Sequence, residues 1–515
     1  MFYCFLVFLL CCRKNFIVFG YESFARYPPI TFFSRGGAKQ TQHGDVAQQD
    51  SYTTLAKAIR SKLKDEGSGD TPDVERIVKA FKTLSSAQKA FKGLDGAAHE
   101  AYQRTHSAED VDIAVTGRAR RSALRAGATA VALEACELCE LVESPEHFNL
   151  TSPDGILCND REIMLNATVN IPESDTNISF LVIYEPCYAG GAGVDHGGLD
   201  DTSSKEFSRV YEGRLIVILA DSSRSHLGRI IKVLDQKPTH VRVSQGSIDS
   251  EIASVQPSLY KTAALVIEQA EHLLRKFNNS AIHFVGRSLA GGVATIAATI
   301  IDGKLPMPSI KCKKKRKQAN RKVQDCTGNE TQSINASLVM VPLQGIGKGR
   351  TSAVTLGAPP CISANVEADF ITSIMYGDDI VCRLWKNSID RFVERTRRAL
   401  KSGGFISRQM NLMTDTLTLA ASNLQSHAHG SEGEEARLSV PGHAYLVRPR
   451  KLGHACSMHE VGAYLKGGRD ALRAAVLWQL NDILLSSSMW KHHDLLSYIH
   501  GLDRIHLRGA LDEQE

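Results

Sequence analysis

A serine stands inside a run of small residues at Gly286-Arg287-Ser288-Leu289-Ala290, with Gly291 and Gly292 directly behind it. A serine hydroxyl can attack an acyl carbonyl if a base removes its proton. The apolar run Ile282–Val285 precedes this serine and reads as a short buried strand. The Ala-rich segment Val293–Ile301 follows and reads as a helix. Strand, sharp turn with a central serine, then helix is the nucleophile-elbow arrangement. Such a turn holds the serine in a strained backbone conformation, so Gly286, Ala290, Gly291 and Gly292 are small where bulk would clash. The amide of Leu289, opening the helix, would face an oxyanion forming beside Ser288.

An elbow serine needs a histidine, and the histidine needs a carboxylate. In this arrangement the chain order is serine, acid, histidine. Downstream, Ser352–Leu356 reads as a strand stopped by Gly357-Ala358-Pro359-Pro360. A second strand, Phe370–Tyr376, ends in Gly377-Asp378-Asp379-Ile380-Val381. An acid at the end of a buried strand is well placed to accept an imidazole N–H. Asp379, directly before the Ile-Val pair, is preferred, with Asp378 the near alternative. Spacing does not choose among the later histidines His443, His454, His459, His492, His493 and His500.

The chain resembles the class 3 (fungal-type) lipases, and within them the sn-1-specific diacylglycerol lipases. The stretches that carry the resemblance are Phe284-Val-Gly-Arg-Ser-Leu-Ala-Gly-Gly292, Leu356-Gly-Ala-Pro-Pro-Cys-Ile-Ser363, Ile371-Thr-Ser-Ile-Met-Tyr-Gly-Asp-Asp-Ile-Val381 with Arg383, Pro441-Gly442, and Ser486-Ser-Ser-Met-Trp-Lys-His-His493 with Gly501-Leu502. The resemblance covers about 260 to 502 and implies an α/β-hydrolase fold. It also implies Ser288 as nucleophile, Asp379 as acid and a histidine of the last block as base: His493, with the adjacent His492 second. The expected activity is hydrolysis of a glycerolipid ester, at the sn-1 position of diacylglycerol. A soluble esterase or a phospholipase A1 would use the same triad.

Four departures from the family pattern stand out. Arg287 occupies the place of a histidine, Ala290 that of a glycine, and Cys382 that of a proline. The Arg-Gly-Thr-like turn that supplies an oxyanion donor is replaced, after the predicted strand Arg214–Ala220, by Asp221-Ser222-Ser223-Arg224-Ser225. Ser222 or Ser223 is the candidate second donor. Loss of one such donor costs about 2.7–4 kcal/mol of transition-state stabilisation. Arg287 and this altered turn also motivate the alternative of a lipase fold kept as an inactive scaffold.

Around these residues the chain alternates strands and helices from about 147 onward, which predicts a mostly parallel sheet with helices on both faces. Strands are expected over Ile163–Ile171 and Ile178–Tyr184, and an amphipathic helix over Tyr260–Phe277. Before them, Thr53–Leu63, Asp73–Leu84, Ala87–Arg104 and Asp110–Val142 carry apolar residues at helical spacing. The domains expected are 1–50, an apolar N-terminus and a segment without order; 51–145, a helical region for packing or partner contact; and 146–505, the α/β domain.

With 515 residues, 43% hydrophobic content and a net charge of +5, the chain is globular, and its charge alone does not call for nucleic acid. Twelve scattered cysteines fit reduced thiols, and Cys136 with Cys139 fits helix packing, since no second pair completes a zinc set. The glycine-rich Cys187–Asp201 lacks a P-loop lysine. No metal or organic cofactor is expected. Basic residues crowd Lys311–Lys322, inside an insertion at 308–348, where they would attract anionic lipid headgroups. Phe2–Cys12 is strongly apolar but short for a span, which leaves an interfacial anchor or a poor signal anchor as the readings. The expected location is membrane-associated or cytoplasmic, with substrate at a membrane or lipid-droplet surface.

Overall fold

The computed structural model describes residues 41–65, 72–86, 88, 114–143, 156–157, 161–172, 174–186, 213–221, 227–243, 251–308, 343–363, 365–366, 368–401, 438–440, 442–449, 456–460, 483, 485–486 and 488–512. Its centre is a nine-stranded sheet in the order β1-β2-β3-β4-β7-β8-β10-β12-β13. The strands are β1 Ile156–Leu157, β2 Arg161–Asn170, β3 Asn177–Pro186, β4 Gly213–Asp221, β7 Ala281–Arg287, β8 Thr351–Leu356, β10 Ile371–Tyr376, β12 His443–Pro449 and β13 Cys456–Glu460. The five central strands β4, β7, β8, β10 and β12 run parallel. The outer strands pair antiparallel. A second, antiparallel sheet, β11-β9-β6-β5, joins Leu438–Ser439, Ile362–Ser363, Glu251–Val255 and Thr239–Val243. This is the α/β-hydrolase arrangement.

Two cores lie on the two faces of the sheet, and β4 shows why. Its side chains alternate, as the period of two requires. Leu215, Val217 and Leu219 enter one core, and Ile216 and Ile218 enter the other. Both sets are buried, so the strand reads as one continuous apolar run.

The first core receives α1 (Thr41–Asp65), α2 (residues 74–86), α4 (Leu227–Leu234), α5 (Pro257–Lys276) and α6 (Ser288–Ile301). The second receives α3 (Ala114–Glu143) and α8 (Leu495–Asp512). A further helix, α7, spans Lys386–Lys401. Each large apolar side chain so buried contributes about 1.5–3 kcal/mol. All fourteen residues of α6 are buried, as suits a helix apolar all round.

The described apolar residues of the helices before 146 join the two cores of the α/β region. Tyr52, Leu55, Ile59, Ile77 and Phe81 belong to the first core, and Ala132, Ala135, Leu138 and Cys139 to the second. The start of α1 takes in residues 41–50, where composition predicts no order. Extending a helix from an anchored turn costs far less than nucleating one. Residues 309–342, which hold the basic run, lie outside the described residues, as do 1–40, 187–212 and nearly all of 87–104. No helix among the described residues is long and apolar enough to cross a membrane.

Candidate active site

β7 enters the elbow with Arg287 still extended (φ −121°, ψ 150°), and the chain then turns sharply at Ser288. Ser288 has φ +59° and is the one non-glycine residue with positive φ among the described residues. That conformation costs roughly 1–3 kcal/mol and persists because the surroundings impose it. The small neighbours are sterically required. A Cβ on Gly286 would stand 2.7 Å from the Ala290 carbonyl oxygen, and one on Gly291 would stand 3.0 Å from Ala358 Cβ. Ala290 itself is fully buried in the turn. Leu289 is the second residue of α6. Its amide is among the first four of a helix, which have no partner within the helix.

β10 delivers the candidate acid, Asp379. Gly377 (φ +52°) turns the chain beyond the strand and leaves Asp379 1% exposed. The candidate base, His493, rides on a single 3-10 turn, Lys491–His493, just before α8. His493 Nδ1 lies 3.1 and 3.0 Å from the two oxygens of Asp379, and its Nε2 lies 3.0 Å from Ser288 Oγ. A carboxylate only accepts, so Nδ1 carries the proton and Nε2 is left to accept from the serine hydroxyl. Both Ser288 and His493 are buried.

The acid is prepared by two further donors. Tyr498, one turn into α8, gives its hydroxyl to Asp379 Oδ2 at 2.6 Å, and the amide of Val381 gives its N–H to Oδ1 at 2.8 Å. Burial alone would raise the Asp379 carboxyl. The charge of His493 and its hydrogen bond, with those of Tyr498 and Val381, outweigh burial and hold it below the ordinary carboxylate value. The same burial, followed by the Asp379 charge, pushes the Tyr498 phenol well above its usual value. The phenol is therefore a fixed donor. Cys382 lies with its Sγ 3.9 Å from the Tyr498 hydroxyl.

The runner-up residues pair with each other. The Asp378 amide donates to His492 Nδ1 at 2.9 Å, and His492 fills the space where a Gly377 side chain would be. They fasten the acid's turn to the base's turn, as does the Ile380 amide on the Met489 carbonyl at 3.3 Å. Of the other histidines, His443 begins β12 and His500 is exposed on α8. His459 lies on β13 in register with Leu446, and His454 is outside the described residues. Ser222 and Ser223 also lie outside the described residues, immediately beyond the end of β4.

Sequence reasoning missed three contributors. Tyr498 sits five residues beyond His493 in the block that carries the resemblance, but a tyrosine gives no signal of pairing with an acid more than a hundred residues away. Gly357 (φ +62°) reads as a strand breaker, yet a Cβ there would stand 2.7 Å from Asp379 Oδ2 and 2.8 Å from the Tyr498 oxygen. The third is the partnership of Arg287. Its Nε and Nη2 donate to the two oxygens of Glu143 at 2.6 and 2.9 Å, and its Nη1 donates to the His493 carbonyl at 2.9 Å.

The site and sheet define the class of protein at the level of fold: an α/β-hydrolase fold carrying a serine, a histidine and an aspartate in one hydrogen-bonded line. No family model matches the chain, and comparison with curated proteins finds no match. Solved structures do match. Lipase II from Rhizopus niveus is similar at 12% identity and a TM-score of 0.27, over 49% of this chain and 73% of that one. A triacylglycerol lipase from Penicillium expansum is similar at 11% identity and a TM-score of 0.31, over 71% of this chain and 97% of that one. The Rhizomucor miehei lipase in its propeptide complex is similar at 13% identity and a TM-score of 0.26, over 49% of this chain and 61% of that one.

Proposed function

We propose that the protein is a serine hydrolase that cleaves carboxylic esters of glycerolipids, with diacylglycerol as the substrate class. The observation that carries this reading is the unbroken line from Ser288 Oγ through His493 to Asp379, each link at 3.0–3.1 Å. Such a line can take a proton from a hydroxyl as it attacks. The lipid part of the reading rests on the resemblance of 260–502 to diacylglycerol lipases.

The mechanism follows from these atoms. Ser288 Oγ attacks the acyl carbonyl while its proton passes to His493 Nε2. The imidazolium is stabilised by Asp379, which stays ionised. The Leu289 amide and a donor from Ser222 or Ser223 hold the oxyanion. Collapse of the tetrahedral adduct breaks the C–O bond to the glycerol, and His493 returns its proton to the departing alkoxide. Water, deprotonated in turn by His493, then attacks the acyl-enzyme and releases the fatty acid, restoring the Ser288 hydroxyl. All steps are proton transfers and acyl transfers, and no step needs a metal or an organic cofactor.

The basic run Lys311–Lys322 would hold the enzyme at anionic lipid, each charge near the surface adding about 1 kcal/mol. Replacing its lysines by alanine is expected to weaken binding to phosphatidylserine vesicles at low salt. Unchanged binding would remove this role. The test of the whole reading is Ser288→Ala, assayed on emulsified diacylglycerol, on phospholipid and on a soluble short-chain ester. Wild-type rates from the variant on all three would end it. A wild-type preference for phospholipid, or for the soluble ester, would keep the triad and change the substrate class.

A further inference from the structure

Arg287 is the residue before the elbow serine, and its guanidinium is held by two partners. One edge, Nε and Nη2, meets both oxygens of Glu143. The remaining nitrogen, Nη1, donates to the main-chain carbonyl of His493. Both side chains are largely buried, at 15% and 19% exposure. Glu143 is the last residue of α3, from the region before 146. Arg287 is also the N-cap of α6, so its backbone is fixed to the elbow. A planar, rigid fork thus spans the backbone that carries the serine and the backbone that carries the imidazole, with a carboxylate setting its angle.

We infer that Arg287 is a positioning residue for the base: a strut, oriented by Glu143, that sets the reach of His493 to Ser288. This inference rests on the hydrolase reading and adds that α3 is part of the catalytic apparatus. Two separate constraints then act on His493. Asp379 fixes the ring, and Arg287 fixes the main chain. A charge-balancing role would be met by any cation beside Glu143. A strut needs the fork, because a lysine ammonium is a point charge and cannot engage both edges in fixed directions. A misplacement of about 1 Å in a reacting group is enough for losses on the order of a hundredfold.

The experiment compares wild type, Arg287→Lys and Glu143→Gln in the full chain. It measures the second-order rate of Ser288 labelling by a fluorophosphonate, the kcat and KM for a soluble ester, and the low-field proton NMR signal of the His493 Nδ1–H. Arg287→Lys is expected to lower labelling rate and kcat by about tenfold or more with KM nearly unchanged, and to broaden the low-field signal. Glu143→Gln should do the same to a smaller degree. If Arg287→Lys melts well below wild type, Glu143→Gln decides alone. Wild-type labelling, kcat and NMR signal in a folded variant overturn the strut, as does a change confined to KM. Failure of wild type itself to label at Ser288 would instead refute the hydrolase reading, and the strut with it.

Discussion

Removing one oxygen atom, by Tyr498→Phe, tests how the acid is held. The phenol donates to Asp379 Oδ2 at 2.6 Å and accepts the Tyr376 amide at 3.2 Å, and the tyrosine is fully buried. A hydrogen bond to a charged group contributes about 1.5–3 kcal/mol, and an ordinary amide bond about 1 kcal/mol. The variant should therefore lose about 2–4 kcal/mol of unfolding free energy at neutral pH. The charged part depends on pH in a definite direction. Asp379 titrates below its ordinary value in the folded chain. Its contacts thus stabilise the fold above the unfolded carboxylate value, near pH 4, and are lost as pH falls through the folded value. The gap between wild type and Tyr498→Phe should be full at about pH 7 and shrink toward the amide share, about 1 kcal/mol, below about pH 4. Urea denaturation at several pH values, with slopes checked for equality, measures it. Equal stability at neutral pH, or a gap that stays constant into the acid range, would refute the assignment of the phenol to an ionised carboxylate.

Three other outcomes follow from the same geometry. His493→Ala should lower Ser288 labelling by about four orders of magnitude or more, whereas His492→Ala should leave most of it, since His492 braces the turn of Asp378; the reverse order would exchange their roles. Gly357→Ala should destabilise the fold by at least about 1 kcal/mol in a melting experiment and reduce labelling, because its φ of +62° and the 2.7 Å approach to Asp379 both resist a side chain. His283 is held at about 4, against 6.5 when free, by burial and then by the charge of Arg214. The unfolded chain therefore takes up its proton first, and stability should fall by about 2 kcal/mol between pH 7 and pH 5 and by about 3 kcal/mol by pH 4, a slope that His283→Gln should remove from urea midpoints.

The parts of this fold written in short-range pattern were legible. The elbow strand, the all-apolar α6 and the strand before Asp379 each carry their signal within a dozen residues. Periodicity therefore puts β7 and β10 within a residue or two of their observed bounds. The same economy explains the doubt between His492 and His493. Adjacent residues on a one-turn 3-10 helix point in different directions, and only the tertiary position of that turn decides which meets the serine. The resemblance favoured His493, and its Nε2 is the nitrogen beside Ser288 Oγ. Ser222 and Ser223, the candidate second oxyanion donors, lie outside the described residues.

Arg287 was legible only as an oddity. From the sequence it counts against catalysis, because the lipases that the chain resembles have a histidine there. Its meaning depends on Glu143, which is 144 residues earlier and ends a helix that bears no catalytic motif. A contact across that separation leaves no periodicity to read. In space, the substitution and the helix explain each other. A long cation next to the elbow would be a liability in a largely buried place unless a carboxylate arrived to pair it. α3 delivers that carboxylate while covering the second core. The third contact, to the carbonyl of His493, then turns a paired charge into a connection between the fold's covering helix and the candidate base. On this reading Arg287 and the helix that ends at Glu143 form one device, and they should be lost or kept together when either is altered.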